Sequence, residues 1–251
     1  MIARRRSLGL AGAMLVLVAW ELAARFLWRD AQALPSPTQA IAAAAQHLTA
    51  RELAEHVGAS LWRIAAGFAL GAAAGTLVGI ATGWYPGLAR FMRPFVEILR
   101  PIPPLAWIPI AIVWFGIGEA SKVFVIFLGA FFPVFTNAWR GMRSIPPVLL
   151  AAARTMDVDG AALLFKVAIP AALPDVSTGL RIGFGLSFGI LVAAELIAAD
   201  RGMGFLVMNS RMLGQLGVAI FAILLIGIVT LVTDGALALV LRRLLGPRAG
   251  R

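Results

Sequence analysis

Residues 57 to 83 read VGASLWRIAAGFALGAAAGTLVGIATG, a stretch whose only charged residue is Arg63. A hydrocarbon layer about 30 Å thick needs roughly 20 apolar residues at 1.5 Å per residue, so this segment predicts one helix long enough to cross a bilayer. Gly67, Gly71, Gly75, Gly79 and Gly83 recur at every fourth position and form a slowly drifting stripe on one face. On such a stripe a neighbouring backbone can approach closely and gain contact that lipid cannot match. Two readings remain open: a packing face within one subunit, and a face along which helices slide.

Working outward, the same character extends over most of the chain. Of its 251 residues 61% are hydrophobic and 14% charged, against roughly 25% charged in a soluble globular domain. Hydropathy predicts an all-α, polytopic membrane protein of about six spans, near residues 8–28, 57–83, 101–118, 121–139, 179–199 and 216–241, forming a single transmembrane domain over 1–251. Residues 29–56 hold His47, Arg51, Glu52, Glu55 and His56 and predict an amphipathic helix at the interface. The third span opens on Arg100-Pro101-Ile102-Pro103-Pro104 and contains Pro109; proline at membrane depth requires neighbouring protein or water to satisfy the freed carbonyls, which places this span among other helices. The fourth follows a tight turn at Gly116-Ile117-Gly118-Glu119.

Arg4-Arg5-Arg6 before an apolar run, with Ala31-Gln32-Ala33 as a small-x-small site, has the layout of a secretory signal. The run continues through Trp20, Phe26 and Trp28, longer and more aromatic than a signal core, and is expected to be retained. Cytoplasmic loops are enriched in Lys and Arg. One side of the predicted topology holds Arg4 to Arg6, Arg90, Arg93, Arg100, Arg140, Arg143, Arg154, Lys166, Arg181, Arg242, Arg243, Arg248 and Arg251; the other holds Arg25, Arg29, Arg51, Arg63, Lys122, Arg201 and Arg211. Both termini and the 140–178 loop are therefore expected in the cytoplasm. The tally accounts for the net charge of +10 without nucleic acid.

Several chemistries are excluded by inventory. There is no cysteine, hence no disulfide or thiolate site. No Gly-Lys pair exists, so no phosphate-cradling P-loop does either. The two histidines, His47 and His56, are nine positions apart rather than four and predict polar residues on a solvated face, not a metal site. The chain is expected to bind no cofactor and to be no enzyme. Among ionisable residues in apolar segments, Glu21, Arg63, Glu195 and Asp234 are candidates for intramembrane polar roles, because such groups normally face the bundle interior or one another. A structural salt bridge or interfacial snorkelling competes with substrate contact for Arg63 and Glu195, and Asp234 can answer an arginine of a neighbouring helix.

The 140–178 loop contains Leu150-Ala151-Ala152-Ala153-Arg154-Thr155-Met156-Asp157-Val158-Asp159-Gly160-Ala161-Ala162-Leu163-Leu164-Phe165-Lys166-Val167-Ala168-Ile169-Pro170. It predicts helix, turn, helix: Ala151 to Met156 favours helix, Asp157 to Gly160 interrupts it, Asp159 can cap the next helix, and Pro170 is expected to end it. A short apolar and basic helix, Ala161 to Val167, would then protrude as a docking knob, with Leu164, Phe165 and Lys166 on it.

This stretch resembles the permeases of binding-protein-dependent ATP-binding-cassette importers, whose cytoplasmic signature is Glu-Ala-Ala, three residues, Gly, nine residues, Ile-x-Leu-Pro. The spacing holds, with Ala152, Ala153, Val167, Ile169 and Pro170 in the matching places. Ala151 stands for the Glu and Asp157 for the Gly; the latter is expected to alter the turn, since Asp adopts a left-handed conformation less freely than Gly. The segments Arg100 to Pro109, Trp114-Phe115-Gly116-Ile117-Gly118-Glu119 and Ala193-Ala194-Glu195-Leu196-Ile197-Ala198-Ala199 are similar to the nitrate, sulfonate and taurine branch. The resemblance implies a type I importer permease in a bacterial plasma membrane. It also implies a homodimer, two separate ATPase subunits carrying the ATP and magnesium, and a periplasmic or lipid-anchored binding protein that delivers a small anion. The alternative function is an ion-coupled secondary transporter, which would more naturally have related halves and mid-membrane carboxylates.

Overall fold

Long apolar runs with few breakers satisfy their own backbone hydrogen bonds only as helix when water is absent. The computed structural model describes residues 2–26 and 34–245, and every regular element among them is helical. In chain order these are α1 (Ile2–Phe26), α2 (Pro37–His47), α3 (Ala50–Trp84), α4 (Pro86–Leu99), a 3-10 turn (Pro104–Trp107), α5 (Ile108–Phe115), α6 (Glu119–Arg143) and α7 (Pro147–Arg154). They are followed by α8 (Gly160–Leu163), a π-helical turn (Leu164–Ala168), α9 (Ile169–Ala198), α10 (Met203–Met212) and α11 (Leu216–Leu245).

Among the described residues four helices are long and apolar enough to cross a membrane, at 50–84, 119–143, 160–198 and 216–243. Helix α1 covers the first expected span as far as Phe26; residues 27 and 28 of that span, Arg29, the Ala31-Gln32-Ala33 site, Arg248 and Arg251 lie outside the described residues.

The expected third span differs most. It is a bent pair, α4 and then Pro104–Phe115, with an 87° angle between its halves. The cause is local: Pro101, Pro103 and Pro104 cannot supply the N–H groups that would carry a helix from Leu99 into Ile108. Helix α4 itself, amphipathic despite the internal Pro94, was not expected as a separate element. Elsewhere α3 starts at Ala50 rather than Val57, so Arg51, Glu52, Glu55 and His56 belong to it, and the interfacial helix is confined to α2. Helix α2 is capped reciprocally, with the Ser36 hydroxyl accepting from the Gln39 N–H and the Gln39 side chain accepting from the Ser36 N–H.

The chain divides into two compact units. The first comprises residues 1–59 and 200–228. Its core places Leu206, Val218 and Ala222 against Ala43, Leu48 and Val207. Glu21 binds Arg25 at 2.6 Å and accepts from the hydroxyls of Thr38 and Ser36. The histidines do not meet a common centre. His47 Nδ1 lies 2.9 Å from the carbonyl of Ala43 on its own helix, whereas His56 Nδ1 accepts the Gly202 N–H at 3.1 Å and its ring stacks on Phe205.

The second unit, residues 60–199 and 229–251, is organised around α6. On one side lies the glycine stripe of α3. A Cβ added to Gly71, Gly75 or Gly79 would sit 2.6, 2.8 or 2.7 Å from the carbonyl oxygens of Phe127, Phe131 and Phe135, one turn after another along α6. At the two ends of the stripe Gly67 and Gly83 make room instead for the side chains of Ile126 and Met142. The stripe is therefore a seat for the backbone of α6 within the same chain. On the other side α9 packs through small residues of its own, with Gly179 against Asn137 and Val134, and Gly183 against Val134 and Ala130. Between them Val125, Ile126, Ala130, Val134, Phe135, Ala138 and Leu191 are almost completely buried. Large apolar side chains such as Leu70, Leu77, Ile182, Leu231 and Val240 point outward, as lipid-facing positions do.

Candidate functional site

The loop between α6 and α9 is built from α7 upward. The N–H of Val158 donates to the Ala153 carbonyl at 3.1 Å, and that of Asp157 to the Arg154 carbonyl at 3.1 Å. Together with φ of +57° at Asp157, these bonds form a Schellman cap, whose C′ residue is left-handed. Asp157 is the only non-glycine residue with positive φ among those described. The glycine position of the signature is therefore this C′ position, and the expectation that Asp would alter the turn is corrected: the turn is kept and Asp157 carries the left-handed strain. Ala152 accepts the Thr155 hydroxyl at 2.7 Å, and Ala153 is buried beneath the cap.

Two further expectations are corrected. Asp159 occupies the N-cap position of α8, but its side chain makes no cap bond; it faces Arg154 at 3.7 Å instead, with both side chains largely exposed. Nor is Ala161 to Val167 a separate helix closed by Pro170. Gly160, left-handed at φ +56°, starts α8, which runs through the π-helical turn at 164–168 straight into α9. Pro170 falls in the first turn of α9, where the wider π turn has already displaced the i−4 ladder and a missing N–H is tolerated.

The loop has two faces. Leu163 and Ala168 point inward; Ala168 joins Met142, Ile145 and Ala172, with Leu164, Leu150, Ile80 and Trp84 packed around them. Val167, Ile169 and Pro170 are half-buried and belong to the anchoring side. Met156 and Phe165 are 77% and 65% exposed, and Lys166 is exposed beside Phe165. A large aromatic held outward by a fixed turn is a feature of protein contact surfaces.

At the opposite end of α6 the structure joins residues that the sequence placed far apart. Arg63 forks onto Glu119, with Nε and Nη2 each 2.6 Å from a carboxylate oxygen, and its Nη1 reaches Glu195 at 2.7 Å. Ser60 donates to Glu195 at 2.7 Å, and Lys122 donates to Glu119 at 3.2 Å. Arg63 and Glu195 are almost completely buried. The clamp ties α3, α6 and α9 together, and it realises the salt-bridge reading of Arg63 and Glu195. Ser60, Glu119 and Lys122 were not singled out for it; the i, i+3 acid–base pair of Glu119 and Lys122 was the only available signal. Asp234 lies 4.0 Å from Arg181 with both side chains half exposed, a loose version of the expected pairing.

Residues 71–248 match the family described as the binding-protein-dependent transport system inner membrane component. The chain belongs to this family. It is 36% identical over 248 residues to the taurine transport system permease protein TauC of Escherichia coli, covering 97% of this chain and 90% of that protein. To the nitrate import permease protein NrtB of Synechocystis it is 34% identical, covering 89% of this chain and 83% of the relative. To the aliphatic sulfonates permease SsuC of Bacillus subtilis it is 33% identical, over 92% of this chain and 83% of the relative. Among solved structures, an inward-facing MetNI methionine transporter superposes with a TM-score of 0.65 at 24% identity, covering 77% of this chain and 96% of that one. That likeness establishes the type I importer permease fold. This permease is thus a multi-pass inner-membrane component of an ATP-binding-cassette importer, and the family implies a separate ATPase and a binding protein as its partners.

Proposed function

We propose that this permease carries a small oxyanion, of the sulfonate, taurine or nitrate class, across the bacterial plasma membrane as a homodimer embedded in lipid. The ATPase subunits, which hold ATP and magnesium, dock on the 147–170 loop in the cytoplasm, and both termini lie on that side. The observation that carries the docking reading is the loop's two-sidedness: Leu163 and Ala168 anchor it to the ends of the spans, while Met156 and Phe165 are held outward by the left-handed Asp157 and Gly160. Because α8 continues without a break into α9, a displacement of Phe165 is transmitted as a tilt of a spanning helix rather than absorbed by a hinge. Nucleotide biases the two states of the permease only through its different affinity for each. The substrate class rests on the functions of relatives such as TauC and NrtB.

The test is uptake in proteoliposomes containing the permease, its ATPase and its binding protein, with radiolabelled taurine and nitrate as the probes. Phe165→Ala, which removes an outward aromatic that a docked ATPase would bury, and Gly160→Pro, which forbids the φ of +56° that presents it, should insert normally and lower ATP-dependent uptake by about tenfold or more. Normal uptake by both variants would exclude docking at this loop. Uptake driven by an ion gradient, with the permease purifying free of any ATPase, would favour a secondary transporter.

A further inference from the structure

The end of the second unit at the C-terminus of α6 holds a cavity of about 710 Å³ rimmed by Arg90 and Arg93 of α4 and Arg140 and Arg143 of α6. In each pair the two arginines are three residues apart and share a helix face, an arrangement that like charges disfavour in the absence of a partner. Arg93 has one, Glu97 at 2.7 Å. Among the described residues Arg90, Arg140 and Arg143 make no ion pair. Compensation of a helix C-terminus accounts for Arg140 and Arg143, in the last turn of α6. It does not account for Arg90 and Arg93, in the first two turns of α4, where the helix offers them no free carbonyls.

A second observation is independent of charge. The indole N–H of Trp139, a residue that lines this cup, is buried and has no acceptor among the described residues, a condition it shares with the indole N–H groups of Trp20 and Trp107 and the hydroxyl of Thr82. A buried donor without an acceptor is uncommon in folded proteins. The cup also leads somewhere. A cavity of about 330 Å³ shares Thr136 and Trp139 with it and adds Arg100 and Glu97, the partner of Arg93; a third, of about 440 Å³, shares Thr136 and Arg100 and opens among mostly apolar residues of the 3-10 turn, α6 and α9, including Phe132 and Leu186. Four arginines line the outer cup, whereas Arg100 is the one arginine of the two inner cavities and is accompanied in the nearer of them by Glu97, so positive charge is concentrated at the rim.

We propose that the arginine cup is a binding site for a small oxyanion, held by the guanidinium groups of Arg90, Arg140 and Arg143. Planar guanidinium forks match the oxygen spacing of sulfonate, nitrate and phosphate groups. This deepens the anion-import reading and rests on it. The same chemistry is available from the cargo and from the phosphate of an anionic lipid, since basic pockets at the cytoplasmic ends of spans attract such headgroups. Continuity with the inner cavities favours the cargo.

The test uses the assembled transporter in nanodiscs of neutral phosphatidylcholine without nucleotide, titrated with methanesulfonate and with nitrate and read by calorimetry. Saturable binding is expected, weakened about tenfold or more in the double variant Arg90→Gln, Arg140→Gln, because each removed group is a charged hydrogen-bond donor. Repeating the titration in nanodiscs containing phosphatidylglycerol separates the sources. Unchanged affinity assigns the site to cargo. Loss of anion binding, with phosphatidylglycerol co-purifying with the parent protein and not with the double variant, assigns it to the headgroup and leaves the oxyanion site standing. No binding of either probe and no retained lipid, or equal binding by parent and variant, overturns the proposal. Failure of the importer reading is distinct, because it is read from the absence of the ATPase in the purified complex.

Discussion

The two ends of α6 treat arginine in opposite ways. At its N-terminal end Arg63 is buried, forked onto Glu119 and bonded to Glu195, so that every charge is answered within the chain. At its C-terminal end Arg140 and Arg143, with Arg90 nearby, ring an open cavity and make no ion pair among the described residues. A buried charge is tolerated only when paired, so the first end is fastened and contributes to the architecture. The second end leaves its charge available to something the chain does not contain. Between the two ends α6 is gripped by the glycines of α3 along four turns, which keeps the fastened end and the open end in fixed register.

The largest effect is expected from breaking the clamp. Arg63→Met leaves Glu195 buried without its cation and should destabilise the protein by about 3–5 kcal/mol, seen as loss of monodisperse protein or a large fall in Tm in detergent. Ser60→Ala, which removes one hydrogen bond to the same carboxylate, should cost about 1 kcal/mol. A stable Arg63→Met variant would dissolve the distinction between the ends. Next comes the grip: Gly75→Leu forces a side chain against the Phe131 carbonyl and should cost about 1–3 kcal/mol by overpacking, whereas Gly87→Ala, with open space around it, should leave Tm unchanged. An equal effect at both positions would mean that the stripe is not what seats α6.

Salt sharpens the contrast further. Raising ionic strength from low to physiological should weaken methanesulfonate binding several-fold, because exposed charges are screened, while the Tm contribution of the buried Arg63–Glu195 pair is little changed. An Arg63–Glu195 pair that weakened as much as the cup would have to be hydrated. The smallest effect is at the loop: Asp157→Gly relieves a left-handed side chain at φ +57° and should raise stability by less than about 1 kcal/mol, the relief being offset in part by added freedom in the unfolded chain. A fall in Tm would show that the Asp157 side chain contributes more than it strains.

Much of this molecule was legible in local sequence. The apolar runs foretold four long helices, because hydropathy and span length are properties of a segment alone. The signature spacing located the loop, and the glycine periodicity located a packing face. The places where reading failed are those where a local rule met a longer-range one. Pro170 was expected to stop a helix that in fact passes through it, because a π turn can absorb a missing N–H and no residue pattern announces that turn. The proline-rich 100–104 segment was assigned to a single span, and its 87° bend became apparent only in the structure.

What the sequence by itself determined is therefore the composition of each span, the turn-forming residues of the loop, and the absence of a P-loop. What only the tertiary structure decided is which charges meet. Arg63, Glu119 and Glu195 lie 56 and 132 residues apart, and nothing in their neighbourhoods distinguishes a paired arginine from an open one such as Arg90. Pairing is a matter of distance in space, and those distances are set when α3, α6 and α9 close on one another through residues that carry no charge at all.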